Sequence, residues 1–365
     1  MRKLRMKEKH LYILGGIFVA LLLIYFISKP RLETVNYDEI VQTILFGFSK
    51  NDVKEIEIYK QIPGGEAKMH LVKQEDQWRM PTYLNAKVRD YSTDRILADL
   101  LEMTGKVRSS DPKHSDMFQI SDTKGIHLLL KGDSQSPLAN LIIGKKGEDY
   151  NTGFVRFAGK DKIYAVDKNV LSTIGVSGEI DTLSKFNHKS MIDLNAVKLN
   201  KDDLNIVALV AGGKEMIIKK VEVQSASTEE ANETPDTTQA THTVLEWVLQ
   251  KNDRNINLDQ EEVDKFLRDV TTIYAQEVID NTTGSLSDFE KLRNYGFNRP
   301  SHYIVFVKSD GQQKLNVIFG NRYEGDKGYY LQVQYDGLIY KVASSRFDTV
   351  FKWIEELPKK LPENT

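Results

Sequence analysis

Short apolar runs and polar turns succeed one another along the chain in an order that occurs twice. The first round opens with the paired strand patterns "VKEIEIYK" and "KMHLVKQ", followed by Trp78 in a strand-like context. "STDRILADLLEMTG" then sets Leu97, Leu100 and Leu101 on one helical face, with Gly105 placed to close the helix. Leu141-Ile142-Ile143, ending at Gly144, reads as a buried strand stopped by a turn. Phe154 to Phe157 and Ile163 to Val166 read as the next two strands, and a short helix is expected near Lys168–Ile174.

The second round repeats this outline. "LNIVALVAG" and "KEMIIKKVEV" pair as strands, Trp247 follows, and "DQEEVDKFLRDVTTI" places Val263, Phe266, Leu267 and Val270 on one helical face. Asp259 with Glu262 forms a capping-box pattern. Asn140, Ile142, Gly144, Glu148, Ile163, Tyr164 and Val166 return, with no gap needed, as Asn316, Ile318, Gly320, Glu324, Ile339, Tyr340 and Val342. Asp310-Gly311 and Asp336-Gly337 are two-residue hairpin signals, because both turn positions favour positive φ. Each round thus contains a four-stranded antiparallel meander, and helix is expected again near Ser345–Trp353.

The pattern predicts an α+β chain of two homologous modules, 33–174 and 204–357, each with an antiparallel meander and one or two packing helices. An ordered connection, 175–203, joins modules that pack together, and 358–365 forms a C-terminal tail. The stretch 225–242, "SASTEEANETPDTTQATH", has no apolar residue larger than alanine and reads as a solvated, disordered loop. Trp78, Trp247, Gly144, Gly320, Tyr164 and Tyr340 are the structural markers of the repeat.

Composition changes this picture at the N-terminus. Leu11 to Ser28 contains no charge, and as a helix it would reach roughly 27 Å, close to the hydrocarbon thickness of a bilayer. The tail 1–10 carries Arg2, Lys3, Arg5, Lys7 and Lys9 against Glu8. Positive-inside bias then predicts a single-pass anchor over 11–28, with the N-terminus cytoplasmic and the main body extracytoplasmic. The exit, Tyr25 to Pro30, is a poor signal-peptidase site. The formal net charge of the whole chain is -2, so the body beyond the basic tail is acidic and no nucleic-acid partner is expected. The chain has no cysteine, which excludes disulfides, thiolate metal sites and cysteine nucleophiles.

With its two Trp-strand, helix and meander units, the "NYGFNRP" of Asn294–Pro300 and the "GFVRFAGKDKIYAV" of the first meander, the chain resembles the bacterial family known as domain of unknown function 4340. The first round departs from the Tyr-Gly-Leu/Phe-x-x-Pro pattern, having Phe118-Gln119-Ile120 and no following proline. The resemblance implies an accessory component beside ABC-type export or gliding-associated transporters.

Residues of catalytic type do not converge. The seven histidines, His10, His70, His114, His127, His188, His242 and His302, show no metal-ligand spacing. "GVSGE" at Gly175–Glu179 lacks the fifth-place glycine of a nucleophile elbow. "AGGKE" at Ala211–Glu215 lacks the earlier glycine and the Ser/Thr of a phosphate loop. Asp253, Asn255, Asn257 and Asp259 have calcium-loop spacing, but Leu258 replaces the turn glycine and Asp264 the bidentate Glu. No cofactor, metal or catalytic residue is therefore expected.

The aromatic residues leave one candidate. The Val155/Leu331 side of the meander strands reads as core, while Phe154, Arg156, Tyr330, Gln332 and Gln334 form a candidate interaction face. The expected function is a non-catalytic, membrane-anchored accessory protein with a protein partner in an ABC-type transport or gliding-related complex. Alternatives are a cell-surface or cell-wall polymer-binding module using the Arg156 face, and a hydrolase with its site between the modules.

Overall fold

The computed structural model describes residues 18, 19, 21, 41–176, 178–226, 241–282, 288–309, 311, 314–325, 327–334 and 336–360. Its first half contains β1 (Gln42–Thr43), β2 (Glu55–Ile62), β3 (Gly65–Gln74), β4 (Gln77–Met80), β5 (Ala86–Lys87), β6 (Thr104–Ser109), β7 (Ile126–Lys131), β8 (Ala139–Lys146), β9 (Gly153–Phe157) and β10 (Ile163–Val166). After β11 (Asn195–Lys198) come β12 (Leu204–Ala211), β13 (Lys214–Ala226), β14 (Thr241–Lys251), β15 (Arg254–Asn257), β16 (Thr272–Tyr274), β17 (Glu277–Asn281), β18 (His302–Lys308), β19 (Lys314–Tyr323), β20 (Gly328–Val333) and β21 (Leu338–Ala343).

Among the described residues these strands form a ten-stranded sheet, a nine-stranded sheet and a two-stranded pair, β11 with β16. The first sheet runs β5-β4-β3-β2-β7-β8-β9-β10-β6-β1 and the second β15-β14-β13-β12-β18-β19-β20-β21-β17. All nine strands of the second sheet therefore have a counterpart at the same place in the first, and β1 is the extra strand. Trp78 and Trp247 lie in the counterpart strands β4 and β14, both buried.

Alternation produces this arrangement. In β2, Ile56 and Ile58 point into the core between Glu55, Glu57 and Tyr59, and in β12 Val207 and Leu209 do the same. A twelve-residue helix lies on each inner face. Asp90–Leu101 buries Ile96, Leu97 and Leu100. Gln260–Thr271 buries Val263, Phe266, Leu267 and Val270. Each such side chain removed from water contributes about 1.5–3 kcal/mol. The Asp259 carboxylate accepts from the amides of Glu261 (2.9 Å) and Glu262 (3.4 Å), capping the second helix.

Two expectations are corrected. The fold is mostly antiparallel β-sheet rather than α+β, because the paired strands and the meander of each half join into one continuous sheet through β2–β7 and β12–β18. The membrane helix over 11–28 and the single-pass placement, with a cytoplasmic N-terminus and an extracytoplasmic body, do not stand. Among the described residues no helix is long and apolar enough to cross a membrane. Of Leu11 to Ser28 only Phe18, Val19 and Leu21 are described; the rest of that stretch and the tail 1–10 lie outside the described residues.

The ends of the expected loop 225–242 are strand, with Ser225 opposite His242 and Ala226 opposite Thr241, while 227–240 lies outside the described residues. Asp310 and 361–365 of the expected hairpin and tail lie outside them too. Short helices occupy Val170–Thr173, Ser344–Phe351 and Trp353–Glu356.

The connection 175–203 is fastened to both halves. The Arg89 amide donates to the Met191 carbonyl (2.9 Å), Asp193 to Lys87 (2.8 Å) and Ala275 to Leu194 (2.7 Å). One continuous buried cluster runs through both halves. Polar contacts cross directly as well: the Tyr83 hydroxyl donates to the Val278 carbonyl (3.2 Å), and the Asn281 amide to the Leu84 carbonyl (3.0 Å).

Candidate interaction faces

The outer face of each sheet, turned away from the helices Asp90–Leu101 and Gln260–Thr271, carries the sequence-predicted residues at one end. Phe154 and Arg156 stand on β9, Tyr330 and Gln332 on β20, and Gln334 in the turn after it. In both halves a separate segment covers this end. Phe154 packs against Phe118 with ring centroids 4.5 Å apart, and Tyr330 against Tyr295 at 4.7 Å. The Tyr295 hydroxyl donates to Asp280 (3.1 Å); burial, then the Asp280 charge, push its phenol up to about 12.

The two covers are built alike. The amides of Phe118 and Ile120 donate to His114 (3.3 Å) and Ser115 (2.9 Å), and those of Tyr295 and Phe297 to Lys291 (3.0 Å) and Leu292 (2.7 Å). Gln119 and Gly296 sit between them with φ of 52° and 82°. The Phe118 carbonyl accepts from the Lys145 amide (2.9 Å), and the Tyr295 carbonyl from Asn321 (2.8 Å). A side chain at Gly144 or Gly320 would run into that same carbonyl, so both positions need glycine. The segment that lacks the glycine and proline of the second half therefore adopts the same turn.

Arg156 is buried beneath the first cover. Its guanidinium donates to the carbonyls of Ile120 (2.6 Å) and Lys160 (3.2 Å) and to the Asp122 carboxylate (2.8 Å). It ties the cover to the sheet, so its donors are occupied within the chain. Gln332 is half-buried. Gln334 is exposed and accepts from the Asn316 amide. The structure thus places Phe154, Arg156 and Tyr330 beneath two similar covers, one in each half, and leaves Gln334 exposed beside the second.

The open part of each outer face lies on the central strands, where the halves differ. In the first, Glu57 on β2 stands between His70 on β3 and Leu129 on β7, with Glu55, Lys68 and Lys131 around them. Glu57 accepts from Lys68 and from Lys131 (2.9 Å), and Glu55 lies 3.2 Å from His70 and 3.5 Å from Lys131. Burial alone would raise the Glu57 carboxyl; the hydrogen bonds from Lys68 and Lys131 outweigh it and hold the group at about 2.

In the second half the corresponding positions follow from the pairing. Ala208 on β12 stands between Ile217 on β13 and Val305 on β18, with Ile206 between Lys219 and Val307, and Val210 between Glu215 and Tyr303. Where the first face has Glu55, Glu57, His70 and Lys131, the second has Ile206, Ala208, Ile217 and Val307. Ile206, Ala208, Val210, Ile217, Tyr303, Val305 and Val307 are half-buried, the same degree of cover as the charged residues of the first face. A sheet face open to water ordinarily alternates apolar-in with polar-out; this one is aliphatic on both sides.

Sequence reasoning passed over this face, although the signal exists. "KEIEIYK" alternates strictly, whereas "NIVALVA" and "YIVFV" are apolar at both parities, the mark of a strand covered on both sides.

Two further polar clusters are engaged within the fold. Between the halves, Asp336 accepts from the Leu338 amide (2.9 Å) and the Tyr340 hydroxyl (2.8 Å) and pairs with Lys87 (3.1 Å). Burial, then Asp336, push the Tyr340 phenol well above its ordinary range. A cleft of about 470 Å³ at the edge of the first sheet gathers Lys106, Arg108, Glu148, Asp149 and Asp167. Asp167 there accepts from the Thr104 amide (2.9 Å) and hydroxyl (2.8 Å). Among the described residues no three His, Asp or Glu side chains form a group able to hold a metal ion.

No curated protein and no solved structure matches the chain. A family model does, over residues 78–249, from Trp78 in β4 to Leu249 in β14, and hence from one tryptophan strand to the other. It is the model of a domain of unknown function, DUF4340, and the match over residues 78–249 supports the resemblance to that family.

Proposed function

We propose that the protein is a non-catalytic interaction subunit that meets another protein chain through the outer face of its second sheet. The observation that carries this reading is the replacement of Glu55, Glu57, His70 and Lys131 by Ile206, Ala208, Ile217 and Val307 at matching places in one strand order. The part of this aliphatic surface left open to water is costly, and contact with a partner removes the cost. A duplicated ancestral unit whose two copies later diverged on their outer faces accounts for the shared order. The setting proposed is the ABC-type transport or gliding-associated assembly that the family resemblance implies.

The test is co-purification of the tagged full chain from its own cells under mild conditions. The wild-type chain should bring a stoichiometric protein with it, and Ile206→Lys should lose that protein while remaining folded. Recovery of the wild-type chain alone and as a monomer at every expression level would count heavily against the reading.

A further inference from the structure

The open face of the second sheet falls into three rows across its strands. The middle row, Gln250, Ile217, Ala208, Val305 and Asn316, carries no formal charge. On β13 the charges stand on either side of it and are opposite in sign, Glu215 before Ile217 and Lys219 after.

A two-fold axis along the middle row, in the plane between two facing sheets, sets each middle-row residue against its own copy. It sets each flanking row against the other. Glu215 of one copy then faces Lys219 of the second, twice. Asn316 and Gln250 face themselves, which amides tolerate because each both donates and accepts. A charge in the middle row would repel its own image, and none is there.

From this we infer that the occupant of the face is a second copy of the chain, seated about a two-fold axis through Ile217 with two Glu215–Lys219 pairs. The inference rests on the reading of that face as a contact surface. Its footprint covers five strands about 4.8 Å apart and about seven residues of roughly 3.3 Å each, or ~550 Å² per copy. Doubled to ~1,100 Å², that area is in the range of weak, transient interfaces, below the usual size of stable ones.

Sedimentation velocity of the purified full chain, from about 1 to about 200 µM, tests it. The wild-type chain should pass from monomer to dimer across this range. Glu215→Lys alone and Lys219→Glu alone should each weaken the dimer about tenfold or more, by setting like charges face to face. An equimolar mixture of the two single variants should dimerise again, as should the double exchange. Circular dichroism checks that each variant is folded. If Lys219→Glu is not, the series wild type, Glu215→Gln, Glu215→Lys decides alone, with dimer strength falling in that order. A wild-type chain that stays monomeric throughout, or a dimer indifferent to the exchanges, overturns the inference. A monomeric chain that still loses its co-purifying protein on Ile206→Lys would leave the contact-surface reading standing without the second copy. If Ile206→Lys changes nothing either, both fall.

Discussion

Lys87 of the first sheet reaches across to Asp336 of the second, Nζ to Oδ2 3.1 Å, and the carboxylate it meets is only 3% exposed. The same carboxylate accepts from Tyr340, which is fully buried. A buried pair of this kind is weak evidence of net stabilisation, but removing one member leaves the other uncompensated. Lys87→Met should therefore lower unfolding stability by about 3 kcal/mol, and Lys87→Met with Asp336→Asn by clearly less than the sum of the two single changes. Urea unfolding of the four chains measures the coupling.

The twin turns make an asymmetric prediction. At Gly296, with φ of 82°, an added Cβ would strike the backbone amide of Asn321, so Gly296→Ala should destabilise by about 2 kcal/mol. Gln119 already occupies the matching left-handed position, donating to Asp181 at 2.7 Å. In Gln119→Gly, relief of backbone strain offsets the lost surface hydrogen bond, and stability should stay within about 1 kcal/mol of wild type. Thermal unfolding of both variants checks the pair.

Arg156 is predicted to act on stability. Arg156→Ala removes the donors of the Ile120 and Lys160 carbonyls and unpairs Asp122, at a cost of about 2–4 kcal/mol. Arg156→Lys should recover only part of this, since an ammonium lacks the planar fork. Denaturant midpoints that leave Arg156→Ala equal to wild type would remove the clamp from the account.

Acid should reveal the charged face of the first sheet. Glu57 is held at about 2, below its ordinary value of 4.5, so its contribution is fully present above pH 4.5 and fades as pH falls through about 2. With the partly exposed lysines screened by solvent, the loss is about 1 kcal/mol. Glu57→Gln should flatten that part of the pH–stability curve, and high salt should shrink the difference.

Much of this architecture was written locally. The strict alternation of Glu55 to Tyr59, the two tryptophan strands and the Asp259 cap are nearest-neighbour features, and they lie where the pattern puts them, whereas Gly144 and Gly320, read as strand ends, lie inside β8 and β19 where the pairing register shifts. The pairing of β2 with β7 and of β12 with β18 is long-range and merges hairpins into broad sheets, which no local rhythm specifies. The likeness of the turns at Gln119 and Gly296 was hidden because a non-glycine residue bears the left-handed turn in the first. Arg156 looked available because its acceptors, Ile120 and Asp122, come from a segment distant in sequence. The aliphatic face was visible in the doubled apolar parity of β12 and β18, yet its meaning depends on their being central strands whose counterparts are charged.

Leu129 and Val305 hold the same place in the two sheets, each beside the central outer residue of its half, Glu57 or Ala208. Placing a lysine at either one therefore compares the two faces at the same register position. Quantitative co-purification of the full chain carrying Leu129→Lys or Val305→Lys is the most direct measurement. Val305→Lys should lose the associated chain and Leu129→Lys should keep it; equal retention, or loss with Leu129→Lys alone, would contradict the assignment of the second sheet as the contact face.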